Sequence, residues 1–267
     1  MSSAPPRRLR AAVPLGALVV ALSLAACTPS PGQAASSPSP SPSASPDVDD
    51  VGPRGLELDL TSGDVTVQVV APHALVDSAH VTLAKDGVAT LTVDPAALPS
   101  GAVLDVAPEM ASLAVTLRRT SDGGASVLDA DGKVIGGLTA PTGGARLVVV
   151  EPDAAELHMP SGAQAVPPPV TLTMGTQAVV SATWGNREGG RSLAVDPTPW
   201  ARTAGAAGVA LVWAELTAAH PDADTPGMHD QLVCHSVGAP DKATWNLEPW
   251  RPDVGLVAVL AARCNPS

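Results

Sequence analysis

The 267-residue chain has no Phe and no Tyr, only three Lys (Lys85, Lys133, Lys242) and three Cys, and a formal net charge of −11. So small a basic complement argues against nucleic acid as a partner, because affinity for phosphate backbones comes from Lys and Arg releasing counterions. It argues equally against electrostatic docking on anionic lipid, which needs clustered basic residues. The signatures of common catalysts are also missing: there is no G-x-S-x-G, no S-x-x-K, no H-E-x-x-H, no C-x-x-C and no phosphate-cradling Gly-rich loop after a strand. Long apolar runs are absent too. The apolar stretch from Ala11 to Ala26 is 16 residues, is broken by Pro14, and falls short of the roughly 20 residues a spanning helix needs.

What that stretch does carry is an address. It follows Arg7, Arg8 and Arg10 and closes on Leu24-Ala25-Ala26-Cys27, the layout of a cleaved export signal over residues 1–26. A small-residue cleavage site ending in Cys resembles that of a bacterial lipoprotein precursor. The resemblance implies that the Cys27 thiol is acylated, palmitate-type chains included, and becomes the mature N-terminus. One acyl chain holds a membrane only marginally and a second makes anchoring stable; a diacylglycerol thioether supplies both on one residue. The expected location is extracytoplasmic, at the cell membrane and envelope, with the bilayer as partner through the acylated end. Cysteine parity agrees, because an odd Cys in an exported protein leaves a free thiol, whereas acylation of Cys27 leaves Cys234 and Cys264 to form one disulfide in an oxidising compartment. Removing residues 1–26 takes away three Arg and no acid, moving the formal charge from −11 to −14.

Residues 27–54 are nearly free of large apolar side chains and contain Ser37-Pro38-Ser39-Pro40-Ser41-Pro42, so they read as a linker. In polyproline II, at about 3.1 Å per residue, some 25 residues would lift the folded part roughly 60 to 80 Å from the bilayer. Residues 55–166 alternate with period two: Leu56, Leu58 and Leu60 face one way, Glu57 and Asp59 the other, and Val65, Val67 and Val69 repeat the pattern. Turn signals at Asp86-Gly87, Asp122-Gly123 and Asp131-Gly132 divide the segment into eight to ten short strands. The expectation is an all-β module, a meander or small sandwich, without a single aromatic residue.

All five Trp (Trp184, Trp200, Trp213, Trp245, Trp250) and both disulfide candidates follow the Pro167-Pro168-Pro169 tract. A composition break at a proline run marks a domain boundary, and residues 170–267 are read as a small α+β domain with one disulfide. Strands are expected around Val179 to Trp184 and Ser192 to Val195. A helix should open at Thr198-Pro199, with Thr198 as cap and Pro199 in the first turn, run through Leu211 and Leu216, and stop at His220-Pro221. Val254 to Ala261 is apolar enough to read as a buried strand leading into Cys264.

The densest polar constellation runs from Met228-His229-Asp230-Gln231 through Cys234-His235 to Trp245-Asn246-Leu247-Glu248-Pro249-Trp250-Arg251-Pro252. Together with Pro197-Thr198-Pro199-Trp200-Ala201-Arg202 and the closing Cys264-Asn265-Pro266, these residues resemble a domain family of unknown function found in secreted actinobacterial proteins. A bias toward Ala, Val, Gly and Pro, with so little Lys, Phe and Tyr, suits a GC-rich actinobacterial genome. The resemblance covers about residues 180 to 266 and brings no mechanism with it. His229, His235, Trp245, Asn246, Glu248 and Arg251 are the candidate binding or catalytic residues. A scaffold reading pairs Glu248 with Arg251 and packs the Trp; a binding reading stacks Trp on sugar at a rim, with cell-wall glycan or an envelope protein as partner. The alternative is a small envelope hydrolase in which Glu248 or His235 moves a proton while Arg251 holds an anion. No cofactor or metal is expected. His229, Cys234 and His235 lack a zinc spacing, and Asp129-Ala130-Asp131-Gly132 reads as a hairpin turn, a calcium-loop fragment without its later ligands.

Overall fold

The computed structural model describes residues 55–108, 115–161 and 167–267. The expected signal segment, Cys27 and the Ser/Pro-rich linker lie outside the described residues. From residue 55 the period-two pattern becomes strands, as alternation dictates when one face is buried. β1 (Leu56–Ser62) and β2 (Val65–Ala71) form a hairpin in register from Leu56↔Ala71 to Ser62↔Val65. β3 (Ala79–Leu83) and β4 (Ala89–Val93) form the next, turned at Asp86-Gly87 with Gly87 at φ +80°. Then come β5 (Val103–Pro108), β6 (Thr116–Arg119), β7 (Ala125–Leu128), β8 (Val134–Leu138), β9 (Arg146–Glu151) and β10 (Ala154–His158). The other two expected turns join β6 to β7 and β7 to β8. In the latter, the Asp129 carboxylate accepts from the backbone of Asp131 and Lys133, so the calcium-like fragment is a turn.

With one further strand, β11 (Val170–Gly175), these form two antiparallel sheets, ordered β1-β2-β5-β10-β9 and β3-β4-β11-β8-β7-β6. They share one core, in which Leu60, Val67, Leu91, Leu104, Leu157 and Leu172 are fully buried. The module is a sandwich, and its core contains no aromatic side chain.

One boundary differs from expectation. β11 (Val170–Gly175) follows the proline tract, yet it pairs with β4 along Val170↔Val93 to Met174↔Ala89 and lies inside the six-stranded sheet. Prolines mark where the chain leaves one element. Long-range pairing decides which sheet the next strand joins.

The C-terminal part begins with the hairpin β12 (Val179–Arg187) and β13 (Gly190–Pro197), to which β14 (Trp245–Leu247) adds a third strand. Thr198 caps α1 (Pro199–Thr203) by accepting from Ala201 N at 3.2 Å, as its position before Pro199 predicts. The helix expected to continue to His220 is instead interrupted: α2 (Gly205–Ala219) starts afresh at Gly205, whose φ of +61° ends the first helix. The same Thr-Pro signal opens α3 (Pro226–Gly238), where Thr225 accepts from Met228 N. The segment read as a buried strand is a helix, α4 (Leu256–Ala261). A short apolar run has no period long enough to separate the two, and α4 packs on α3.

Both parts belong to one compact unit. α2 packs on β8, and the Trp200 indole covers Gly175 so closely that a Cβ there would lie 2.6 Å from the ring. Trp200 Nε1 donates to Thr173 Oγ1 at 3.2 Å, fixing the ring on the sheet. Asp122, in the β6–β7 turn, accepts from Ala206 N at 2.7 Å and so caps α2 from across the chain. Burial alone would raise the Asp122 pKa, but the Thr120 hydroxyl and the N–H groups of Ala206 and Gly124 outweigh it and hold the value below the ordinary one. Glu215 on α2 accepts from Ala178 N and Val179 N, both at 2.9 Å; here burial wins, and the pKa is raised.

Candidate functional site

The candidate residues hang on β14 and the turn after it. β14 pairs with β13 through Val195↔Trp245, Ala194↔Asn246 and Leu193↔Leu247, which buries Trp245 and Leu247 completely and leaves Asn246 between them. The next residue is then held by an amide acting as a surrogate strand: Gln231 on α3 donates to Glu248 O at 3.1 Å and accepts from Glu248 N at 2.9 Å.

Glu248 is itself buried, and its carboxylate is met by Arg251 Nε. Arg251 also donates from Nη2 to Glu188 Oε2 at 2.6 Å and from Nη1 to the Pro266 carbonyl at 3.2 Å. Its guanidinium also lies 4.5 Å from the Trp250 ring centroid. One arginine thus ties the β12–β13 turn, the turn after β14 and the chain end together, with its side chain only 5% exposed. A buried ion needs such full pairing, because a single unmatched charge in the interior costs several kcal/mol.

The disulfide serves the same clasp. Cys234 on α3 joins Cys264 with a Cα separation of 5.5 Å, inside the range a disulfide requires. That bond holds the chain end two residues before Pro266, whose carbonyl Arg251 uses.

His235 is buried, and its Nε2 lies 3.1 Å from Asn246 O, which requires Nε2 to carry the proton. Burial lowers its pKa against the pull of that carbonyl, and nearby Lys242 lowers it further, so the ring is held neutral. His229 is elsewhere, edge-on to Trp213 with centroids 4.9 Å apart. The structure therefore brings Trp245, Asn246, Glu248 and Arg251 together, attaches His235 to the back of β14, and leaves His229 on the α2–α3 contact. A cavity of about 120 Å³ is lined by Glu248, Arg251, Met228 and Asp253, and His235 is not among its walls. Ligand pockets run to about 300–1,000 Å³. This one holds a few waters, not a sugar ring, and the three residues of the hydrolase reading do not converge in an open cleft.

The outer rim is different. Trp250 is 44% exposed and lies against Gly190, where a Cβ would overlap its ring. Half-buried Trp184 carries the Arg191 guanidinium 3.6 Å above its ring, and Arg191 is in turn held by Asp222 at 2.5 Å. Sequence reasoning did not single out three residues that build this region: Glu188, Gln231 and Arg202. Arg202 donates to the carbonyls of Pro197, Pro240, Lys242 and Ala243 and to Asp196, stitching the loop before β14 to α1. Its place in the Pro-Trp-Ala-Arg string was the available signal. Glu188 had none beyond being in a turn.

The C-terminal part is thus a disulfide-stapled α+β domain closed around a buried arginine. Residues 179–267 match the model of a family described as a protein of unknown function, DUF2599. Uncharacterized proteins of Mycobacterium tuberculosis and Mycobacterium bovis are each 44% identical over 93 residues, covering 32% of this chain and 61% of the relative. An uncharacterized protein of Mycobacterium leprae is 43% identical over 58 residues, covering 20% of this chain and 47% of that protein. The chain therefore spans less than two thirds of these relatives. No solved structure matches it.

Proposed function

We propose that this protein is a lipid-anchored, extracytoplasmic envelope protein whose folded body is a binding or structural module rather than a hydrolase. The observation that carries the second half is the arginine clasp. Glu248 and Arg251 are buried and engaged with each other, and the arginine also bonds Glu188 and Pro266, which supports a structural use of the pair over an open catalytic one. The anchor reading rests on Leu24-Ala25-Ala26-Cys27 and on the cysteine tally, since the Cys234–Cys264 bond leaves Cys27 as the sole remaining thiol and suits an oxidising compartment. The exposure of Trp250, which lies against Gly190 of the hairpin that carries Trp184, supports a rim that stacks on cell-wall glycan.

Two measurements test the two halves. Radiolabelled palmitate should enter the parent chain and not a Cys27→Ser variant; equal labelling, or none in either, refutes the anchor. The full chain should sediment with purified cell-wall glycan, and Trp250→Ala should release it. Retention unaffected by Trp250→Ala and Trp184→Ala would refute the rim and leave a structural role.

A further inference from the structure

A second site lies in the sandwich, outside the residues that match the family. β9 ends the five-stranded sheet and β6 ends the six-stranded one, so among the described residues each has an edge with no strand paired to it. The two edges meet where Leu117 N donates to Pro152 O at 2.5 Å. Beyond that bond a cleft of about 570 Å³ opens between β9 and the β6–β7 turn, within the range of ligand-binding pockets, about 300–1,000 Å³.

Residues 145–149 all line this cleft. Neighbours on a strand point to opposite faces, so a cavity touching five in a row reaches the backbone edge of β9, and through His158, the β10 partner of Arg146, it also extends over the outer face. Unpaired edge N–H and C=O groups are a template for an added strand. The side chains along this edge are apolar and partly open, with Val148 37% and Val150 47% exposed.

The charge at the cleft is opposite to that of the chain. Arg119 and Arg146 both line it, and neither has an ion-pair partner among the described residues, a state they share with Arg118, Arg187 and Arg263, which do not line it. Asp122, the acid in the wall, is already engaged by Thr120, Gly124 and Ala206. His158 is held by Glu156 at 2.7 Å. In a chain of net charge −11, the convergence of two such guanidiniums on one cleft beside a strand edge suits an acidic ligand: the planar fork matches a carboxylate bidentately.

We propose that this cleft takes an extended peptide with acidic side chains, added as a strand on the edge of β9, with Arg119 and Arg146 holding its carboxylates. Main-chain bonds to β9 supply affinity, and the arginines select the ligand. The site needs neither the lipid anchor nor the Trp rim, so failure of either leaves it standing.

The test uses the full chain and a fluorescein-labelled hexapeptide of alternating Val and Glu, followed by fluorescence anisotropy. Binding is expected, with β9 amides gaining protection from hydrogen exchange. Arg119→Ala and Arg146→Ala should each weaken it about tenfold, the scale of one charge-assisted hydrogen bond. Both side chains are exposed, and an unchanged unfolding midpoint shows that each variant is folded. The same peptide with Lys for Glu, or with alternate backbone N–H groups methylated, should not bind. No binding of the acidic peptide up to about 1 mM, equal binding of the Lys peptide, or variants within twofold of the parent would overturn the proposal. Equal binding of the methylated peptide, or full displacement by inorganic phosphate, would reduce the cleft to a plain anion pocket and overturn strand addition.

Discussion

Replacing Arg251 by Ala strands a carboxylate. Glu248 is buried, its main chain is pinned by Gln231, and its one cationic partner is Arg251, so it cannot swing out to water when the guanidinium is gone. Removing one member of such a pair costs about 3–5 kcal/mol. For a body of this size each kcal/mol shifts the midpoint by about 2–4 °C, so Tm should fall by roughly 10 °C. Glu188 offers the contrast. It meets the same arginine but is 57% exposed on its side chain, so Glu188→Ala should cost no more than about 1 kcal/mol. Urea unfolding followed by Trp fluorescence measures both, since every Trp is in the C-terminal part. The controls are Arg251→Met with Glu248→Leu, which removes both charges. If stranding is the cause, the double variant recovers most of what Arg251→Ala loses. A cost for Arg251→Ala below about 1 kcal/mol, or a double variant worse than the single, would refute the reasoning.

Two further outcomes follow from the same contacts. Breaking Cys234–Cys264 frees a loop of sequence separation 30, which the chain-entropy relation converts to about 3.5 kcal/mol. Cys234→Ser with Cys264→Ser should lower the urea midpoint accordingly, and an unchanged midpoint would show that the chain end is held without the bond. Asp122 has a folded-state pKa held below its ordinary value. Its stabilising contribution is therefore complete above the unfolded-state pKa and lost as pH falls through the folded one. Asp122→Asn should lower stability at pH 7 and flatten its decline on acidification below about pH 4; a parallel acid limb in the variant would remove Asp122 as the cap of α2.

The sandwich was legible because its signal is local. Leu56 to Val69 alternates, and the Asp-Gly pairs mark turns that can be made only where they occur, so eight to ten short strands could be read before any pairing was known. Thr198-Pro199 was legible for the same reason: a cap is satisfied within three residues. Val254 to Ala261 was not, because a short apolar run is compatible with either period and α3 settles the matter by packing against it. Nor was the break in the helix expected from Thr198 to His220, which occurs because Gly205 adopts positive φ and Asp122, over 80 residues earlier, takes the freed N–H.

The candidate site divides along the same line. That Glu248 and Arg251 pair was readable from a spacing of three, and the disulfide from cysteine parity once Cys27 is read as an acylation site. That the pair is sealed from solvent was not readable, because it depends on Glu188 arriving from a hairpin turn, on Gln231 arriving from α3, and on a chain end drawn in by Cys264. Residue types and short spacings determine which groups are able to interact. Burial, which decides whether a carboxylate and a guanidinium do chemistry or hold a fold together, is a property of every element packed around them, and only the tertiary structure assembles those.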